Sequence, residues 1–116
     1  MKRLQVYAAV LMIGAGAAAA DVSLSLGFKL GATDSVTSIK YDCGAGNAFA
    51  VSYMNAGPNA LALIRIDGED HIFVNVVSGS GSRYVAGAHV WWSKGDTSTL
   101  ENTLESGDSL QCDVQE

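Results

Sequence analysis

Apolar residues alternate with small or polar residues along most of this sequence, and turn-forming residues interrupt the alternation every eight to twelve positions. A period of two places every second side chain on one face of a β-strand. No stretch of helix length shows apolar residues at three-and-four spacing. The pattern therefore predicts an all-β domain, an antiparallel barrel or sandwich of about eight short strands.

The strands and their order are predicted from the runs of alternating apolar residues and from the turn signals between these runs. The predicted strands cover residues 22–30, 39–43, 49–53, 61–66, 71–77, 83–92, 97–104 and 109–114. The first run, residues 22–30, has the cleanest alternation, but a turn-rich gap follows it. Two interpretations of this run stay open: an extra strand of the same barrel, or an edge strand used for dimer contact.

The first twenty residues have the features of a cleaved secretory signal. Lys2 and Arg3 precede an apolar run, and small residues precede Asp21. A membrane anchor is disfavoured because a spanning helix needs about 20 strongly apolar residues, and Gly14 and Gly16 dilute this run. We expect three parts: a signal peptide at 1–20, an N-terminal extension or extra strand at 21–35, and a barrel domain at 36–116.

The two cysteines, Cys43 and Cys112, constrain the fold further. In an oxidising compartment an even pair is more often a disulfide than half of a metal site. Such a bond would join the first strands to the last, which favours a closed barrel because closure removes open sheet edges. Closing a loop of this length contributes about 4 kcal/mol on the chain-entropy model, a large share of a small domain's stability.

The charge of the exported chain limits its partners. Without Lys2 and Arg3, five basic residues face twelve acidic ones. A surface of this kind repels nucleic acid and anionic membranes. It suits a basic protein partner, or solubility alone.

The stretch SGSGSRY, residues 78–84, is the most distinctive loop. A phosphate-binding loop would lead into a helix, but the strand-like SRYVAGAHVWW follows. A hydrolase elbow needs G-x-S-x-G on a strand-to-helix turn, whereas Gly79 and Gly81 directly flank Ser80. His71 and His89 could supply a base by count alone, but a domain this small has little room for a substrate pocket.

The other groups of polar residues predict no catalytic or metal-binding site. His71 and His89 lie eighteen residues apart without a third convergent ligand, so no metal site is predicted. The acidic residues of the DGED turn are common turn formers. No catalytic residue, cofactor or metal ligand is therefore assigned. Trp91 and Trp92 are adjacent, so on a strand one faces the core and the other faces outward.

Three stretches together resemble the bacterial inhibitors of C-type lysozyme, a family with a membrane-bound lipoprotein branch and a periplasmic branch. They are IKYDCGAGNAFAVSY, SGSGSRY and WSKGDTSTL, in that order. The resemblance spans about residues 39–112. It implies a small antiparallel β-barrel of about eight strands that binds lysozyme and blocks its cleft. No cysteine directly follows the apolar run, so we expect the periplasmic branch.

The resemblance also implies site residues. The family's first motif falls on Ser78, Ser80, Gly81, Arg83 and Tyr84, and its second falls on Trp92, Lys94 and Gly95. Ser80 and Lys94 match the residues that reach the enzyme's catalytic groups. The expected lysozyme-binding set is the whole loop with this lysine: Ser78, Gly79, Ser80, Gly81, Ser82, Arg83, Tyr84 and Lys94. Trp92 and Gly95 are expected to serve the fold, as are the two cysteines.

One departure from the family is visible, because Ser98 stands where a small apolar residue is usual. The sequence thus predicts a periplasmic, non-enzymatic inhibitor of C-type lysozyme that protects peptidoglycan from host defence. The alternative is a glycan-binding or envelope-stabilising barrel. Whether the protein is a monomer or a homodimer stays open.

Overall fold

The structure is a computed structural model that describes residues 21–105 and 107–116. The predicted signal peptide, residues 1–20, lies outside the described residues. Eight strands follow one another: β1 Ser35–Asp42, β2 Ala48–Ala56, β3 Asn59–Ile66, β4 Glu69–Val76, β5 Ser82–Ala86, β6 His89–Lys94, β7 Thr97–Asn102 and β8 Ser109–Val114. None of the described residues belongs to a helix with the length and hydrophobicity needed to cross a bilayer.

The strands form a closed antiparallel barrel in which each pairs with its neighbours in sequence order, and β1 pairs with β8. The predicted fold class, an all-β barrel of about eight strands, is confirmed. Closure rests on a short seam, because β1 pairs with β8 only at Tyr41–Val114 and Asp42–Asp113. The Gln115 N–H extends this seam by donating to the Lys40 carbonyl at 2.8 Å.

The predicted disulfide is also confirmed. Cys43 directly follows β1 and Cys112 lies in β8, and the two are bonded across 69 positions of sequence. The bond lies at the seam, where only two residue pairs hold the terminal strands together. It therefore covalently closes the weakest junction of the barrel.

Aromatic side chains dominate the core. Trp91, Tyr41 and Phe73 are its largest fully buried members. Tyr53 binds two of the core residues: its hydroxyl accepts from the Trp91 indole N–H at 2.8 Å and shares a 2.7 Å hydrogen bond with the Tyr41 hydroxyl. Burial, followed by the hydrogen bond with Tyr41, raises the pKa of Tyr53 well above its ordinary value. Trp91 is buried and Trp92 half-buried, as the alternation predicted.

Two of the predicted strands differ from the structure. The run 83–92 is not one strand but a hairpin, β5 and β6, with Gly87 and Ala88 as its turn. Gly87 has φ +55°, and positive φ at the first turn residue alone fits a type II′ turn, which favours glycine there. The run 22–30 contains no strand, and the barrel closes through β1 and β8 without it.

Candidate functional site

The two predicted motifs meet at one end of the barrel. The loop that contains Ser78 and Ser80 joins β4 to β5, and Gly95 and Asp96 form the turn between β6 and β7. Since β5 and β6 are antiparallel, the start of β5 lies beside the end of β6, where Ser82 pairs with Ser93. The hairpin thus brings the serine-glycine loop and the lysine turn together.

Trp92 links the two motifs directly. Its indole N–H donates to the Ser80 carbonyl at 2.8 Å. The Lys94 ammonium lies 3.9 Å from the centre of its ring, a cation–π contact. The Ser78 hydroxyl donates to the same Ser80 carbonyl at 2.6 Å. One tryptophan therefore fixes the loop from the side and supports the lysine.

Gly81 is where the loop approaches the neighbouring strand most closely. It has φ +63°, and a Cβ there would lie 2.4 Å from the Ser93 carbonyl oxygen and 2.8 Å from Lys94 Cγ. No side chain fits at such distances, and the backbone conformation itself favours glycine. Gly79 differs, since a Cβ there meets nothing within 4 Å. Gly81 is thus required for packing, and Gly79 keeps the loop narrow.

The groups left exposed are a hydroxyl and an ammonium. Ser80 and Lys94 are both exposed, and within the described residues no hydrogen bond engages the Ser80 hydroxyl. A hydroxyl can donate to a neutral acid or to a carboxylate, and can also accept. An ammonium donates strong, charge-assisted hydrogen bonds to a carboxylate. This arrangement can bind a pair of carboxyl groups in different protonation states.

The rest of the predicted site divides between surface and core. Gly79, Gly81 and Ser82 are exposed, and Ser78 and Arg83 are partly exposed. Tyr84 is only 6% exposed and packs in the core, with its ring 5.7 Å from that of Tyr53. Its place among lysozyme contacts stays a prediction, and its burial favours a structural role.

Sequence reasoning missed the part that Trp92 plays in the site. It assigned this residue to the fold, whereas the side chain binds the loop and carries the lysine. A signal was present in the spacing: Trp92 is two residues before Lys94, so on a strand the two share a face.

The histidines do not join this site. His71 lies near the start of β4 and the loop follows the end of β4, a separation of about 20 Å along an extended strand. His71 and His89 contact each other instead, with ring centroids 5.3 Å apart. Within 21–105 and 107–116, no group of three or more histidine, cysteine or acidic side chains could hold a metal ion.

The fold and the site together define a small disulfide-bonded β-barrel that carries, at one end, a serine flanked by two glycines and a lysine beside it. Residues 41–109 match the family model described as "Membrane-bound lysozyme-inhibitor of c-type lysozyme". Because this match covers more than half of the sequence, the chain belongs to that family.

Named proteins agree with this assignment. Two relatives called membrane-bound lysozyme inhibitor of C-type lysozyme are similar: one from Pseudomonas aeruginosa, 40% identical over 72 residues, and one from Cupriavidus necator, 38% identical over 71 residues. Each match covers 61% of this chain and 57% of the relative, so the chain spans little more than half the length of these curated relatives.

A solved structure is similar over a longer part of the chain. It is Pseudomonas aeruginosa MliC in complex with hen egg white lysozyme, 33% identical, with a TM-score of 0.68. The match covers 82% of this chain and 98% of that one.

Proposed function

We propose that this protein is a periplasmic inhibitor of C-type lysozyme that inserts the 78–84 loop into the enzyme's active-site cleft and so protects peptidoglycan. The observation that carries the proposal is the junction of Ser80 and Lys94 through Trp92 at one barrel end. Membership of the inhibitor family, and a similar protein solved with hen egg white lysozyme, support it.

The chemistry of the target explains the pair of exposed groups. C-type lysozymes hydrolyse glycosidic bonds with two carboxyl groups, one kept protonated by an apolar pocket and one ionised. The Ser80 hydroxyl can hydrogen-bond the protonated acid, and the Lys94 ammonium can pair with the carboxylate. Water leaves the cleft when the loop enters, which strengthens both contacts.

The loop is held in shape before it meets the enzyme. The Ser80 carbonyl accepts from both Ser78 and Trp92, and Gly81 packs against the backbone of β6. A preordered loop loses less conformational freedom on binding. The glycines on both sides of Ser80 keep the loop thin enough for a cleft that accepts a sugar chain.

Charge favours encounter with a basic enzyme. The sequence carries twelve acidic and seven basic residues, two of the basic ones within the predicted signal peptide. Animal C-type lysozymes are typically basic, so opposite net charges steer association. We expect the association rate to fall as salt is added, because screening shortens the range of this attraction.

We expect the barrel to inhibit lysozyme without catalysing any reaction itself. Ser80 has no histidine within reach, since His71 and His89 lie near the other end of the barrel. Glycan binding is the weaker proposal, because Lys94 covers one face of the Trp92 ring that would otherwise be free to stack on a sugar.

The test is an inhibition assay with the double variant Ser80→Ala/Lys94→Ala. Loss of two polar contacts to charged or acidic groups costs about 3 kcal/mol, so inhibition should weaken about a hundred-fold. The matched control is Lys40→Ala/Ser109→Ala, which removes one exposed lysine and one exposed serine away from the loop. The control should inhibit like the unaltered protein.

Two outcomes would contradict the proposal. Full inhibition by the Ser80/Lys94 variant would place the contact surface elsewhere. Binding to peptidoglycan fragments, without any binding to lysozyme, would favour a glycan-binding barrel.

A further inference from the structure

The sequence contains two histidines, His71 and His89, and the fold brings them together. His71 lies in β4 and His89 begins β6, with β5 between them. Their ring centroids are 5.3 Å apart and their planes are inclined at 67°. Both side chains are half-buried, and both line an open cleft of about 560 Å³ at the barrel end opposite the serine-glycine loop. The two imidazoles are therefore neighbours that water and small ions can reach.

A small residue on the intervening strand makes this contact possible. His89 pairs with Ala86 of β5, and Ala86 faces the inside of the barrel because it lies two positions after the buried Tyr84. Its methyl group leaves space above β5 in which side chains from β4 and β6 meet. The β4–β5 ladder has already ended here, since its last pair toward this end is Val74–Val85. At this end β4 therefore faces the β5–β6 hairpin through side chains and not through a continued ladder.

The separation of the two rings fits one shared metal ion. Zinc binds an imidazole nitrogen at about 2.0–2.1 Å, which places the metal about 3.2 Å from the ring centre. Two rings on a tetrahedral ion are then about 5.2 Å apart, and two adjacent rings on a square-planar ion about 4.5 Å apart. The observed 5.3 Å matches the tetrahedral value. Rotation of each ring about its Cβ–Cγ bond changes where the nitrogens point while the centroid stays almost in place.

The surroundings of the pair favour a divalent cation. Asp70 lies close enough to His71 to interact with it electrostatically, as Glu105 does with His89. Negative charge beside neutral imidazoles attracts a cation. The chain offers zinc no free thiolate, because its two cysteines form the disulfide. Since imidazole and thiolate are the ligands that zinc prefers, the histidine pair is where this chain would bind zinc.

We propose that His71 and His89 together bind one Zn²⁺ ion that links β4 to the β5–β6 hairpin. Within 21–105 and 107–116 no group of three or more histidine, cysteine or acidic side chains surrounds such an ion, so water fills its remaining positions. With only two protein ligands, the dissociation constant is on the order of 10 µM. The ion stabilises the barrel end at which the β4–β5 ladder stops. The inference does not depend on the function proposed for the loop at the other end.

The test is a calorimetric titration of the exported protein with zinc chloride, without a histidine tag because a tag would bind the metal itself. We expect one zinc ion per chain and a dissociation constant of about 10 µM. At about ten times this concentration, zinc should raise the melting temperature by roughly 6–10 °C. Lowering the pH from about 7.5 to about 5.5 should weaken binding at least ten-fold, because protons compete with zinc for the imidazole nitrogens.

Variants distinguish the imidazoles from nearby carboxylates. His71→Asn and His89→Asn should each weaken zinc binding at least about ten-fold, and the double variant should not bind zinc. Thermal unfolding without zinc checks that each variant is folded. The matched control Asp67→Asn removes a carboxylate that lines a cavity with His89 and should bind zinc like the unaltered protein. Zinc should also shift the NMR signals of both imidazoles in the unaltered protein, a readout that needs no variant.

Several results would overturn the proposal. Absence of zinc binding up to about 1 mM would exclude a site with two imidazole ligands. Binding that survives both histidine substitutions would place the metal on carboxylates. Binding of Cu²⁺ without binding of Zn²⁺ would contradict the tetrahedral spacing. One zinc ion per two chains, with a doubled molar mass in light scattering, would make the ion a link between copies and not between strands of one barrel.

Discussion

Replacing Trp92 with phenylalanine tests whether the proposed inhibitory loop, residues 78–84, is held in place before binding. The change removes the indole N–H that donates to the Ser80 carbonyl at 2.8 Å. It keeps an aromatic ring beneath the Lys94 ammonium. The barrel core is untouched because Trp92 faces outward. The variant should therefore fold normally and inhibit less well.

The size of the effect follows from the lost bond. A neutral hydrogen bond in a partly exposed site contributes about 1 kcal/mol, so the inhibition constant should rise about fivefold. Trp92→Ala also removes the support for Lys94, worth about 0.5–1 kcal/mol more at an exposed site. Its inhibition constant should rise about twenty-fold.

The inhibition constants are measured by titrating each variant against lysozyme that lyses a bacterial cell-wall suspension. Thermal unfolding checks that each variant is folded. Ser78→Ala is the matched control because it removes the other hydrogen bond to the same Ser80 carbonyl. Ser78→Ala should also weaken inhibition, but by a smaller factor. In the double variant Ser78→Ala/Trp92→Phe the two effects should not add, because the two donors share one acceptor. Unchanged inhibition by Trp92→Phe, with normal unfolding, would refute the argument for a preordered loop.

Four further substitutions test other parts of the structure. Gly81→Ala should abolish inhibition, because its Cβ would collide with the Ser93 carbonyl, whereas Gly79→Ala should stay within about twofold in the same titration. Tyr53→Phe leaves two buried partners unsatisfied and should lower the free energy of unfolding by about 1–3 kcal/mol in urea. Because the folded state raises the pKa of Tyr53, stability should be fully present below pH of about 10 and decline above it, a dependence that Tyr53→Phe should reduce. Ser98→Ala removes a buried hydroxyl that has no partner among the described residues, so the free energy of unfolding should stay the same or rise by up to about 1 kcal/mol.

The strand pattern and the cysteines predicted most of the fold, but one hairpin was hidden. Residues 83–92 form a mostly apolar run without a strong turn pair such as Asn-Gly, so they resemble a single strand. In a single strand Tyr84 and Trp91, seven positions apart, would face opposite sides. The turn at Gly87 makes them cross-strand partners on the same face, and both are buried in the core. Only the packed barrel distinguishes these two arrangements.

The sequence indicated residues for the proposed site but not how they contact one another. The motifs indicated Ser80 and Lys94, and alternation indicated that one of two adjacent tryptophans faces outward. Neither pattern shows that the outward one would bind the loop carbonyl and lie beneath the lysine. Those contacts require the loop to lie close against the end of β6, where Gly81 has a positive φ and packs against Ser93. Hydrophobic periodicity carries no signal for this approach.

The spacing between the two motifs is fixed by the register of the hairpin that joins them. Ser82 pairs with Ser93 and Arg83 with Trp92, so the next position of the same register places Gly81 opposite Lys94. This explains why position 81 tolerates no side chain, since the Ser93 carbonyl oxygen and Lys94 Cγ already occupy that space. One residue inserted between Arg83 and the turn at Gly87 would reverse the face on which Arg83 lies, and Arg83 would no longer lie outside beside Trp92. The length of the β5–β6 hairpin therefore sets the geometry of the proposed inhibitory site.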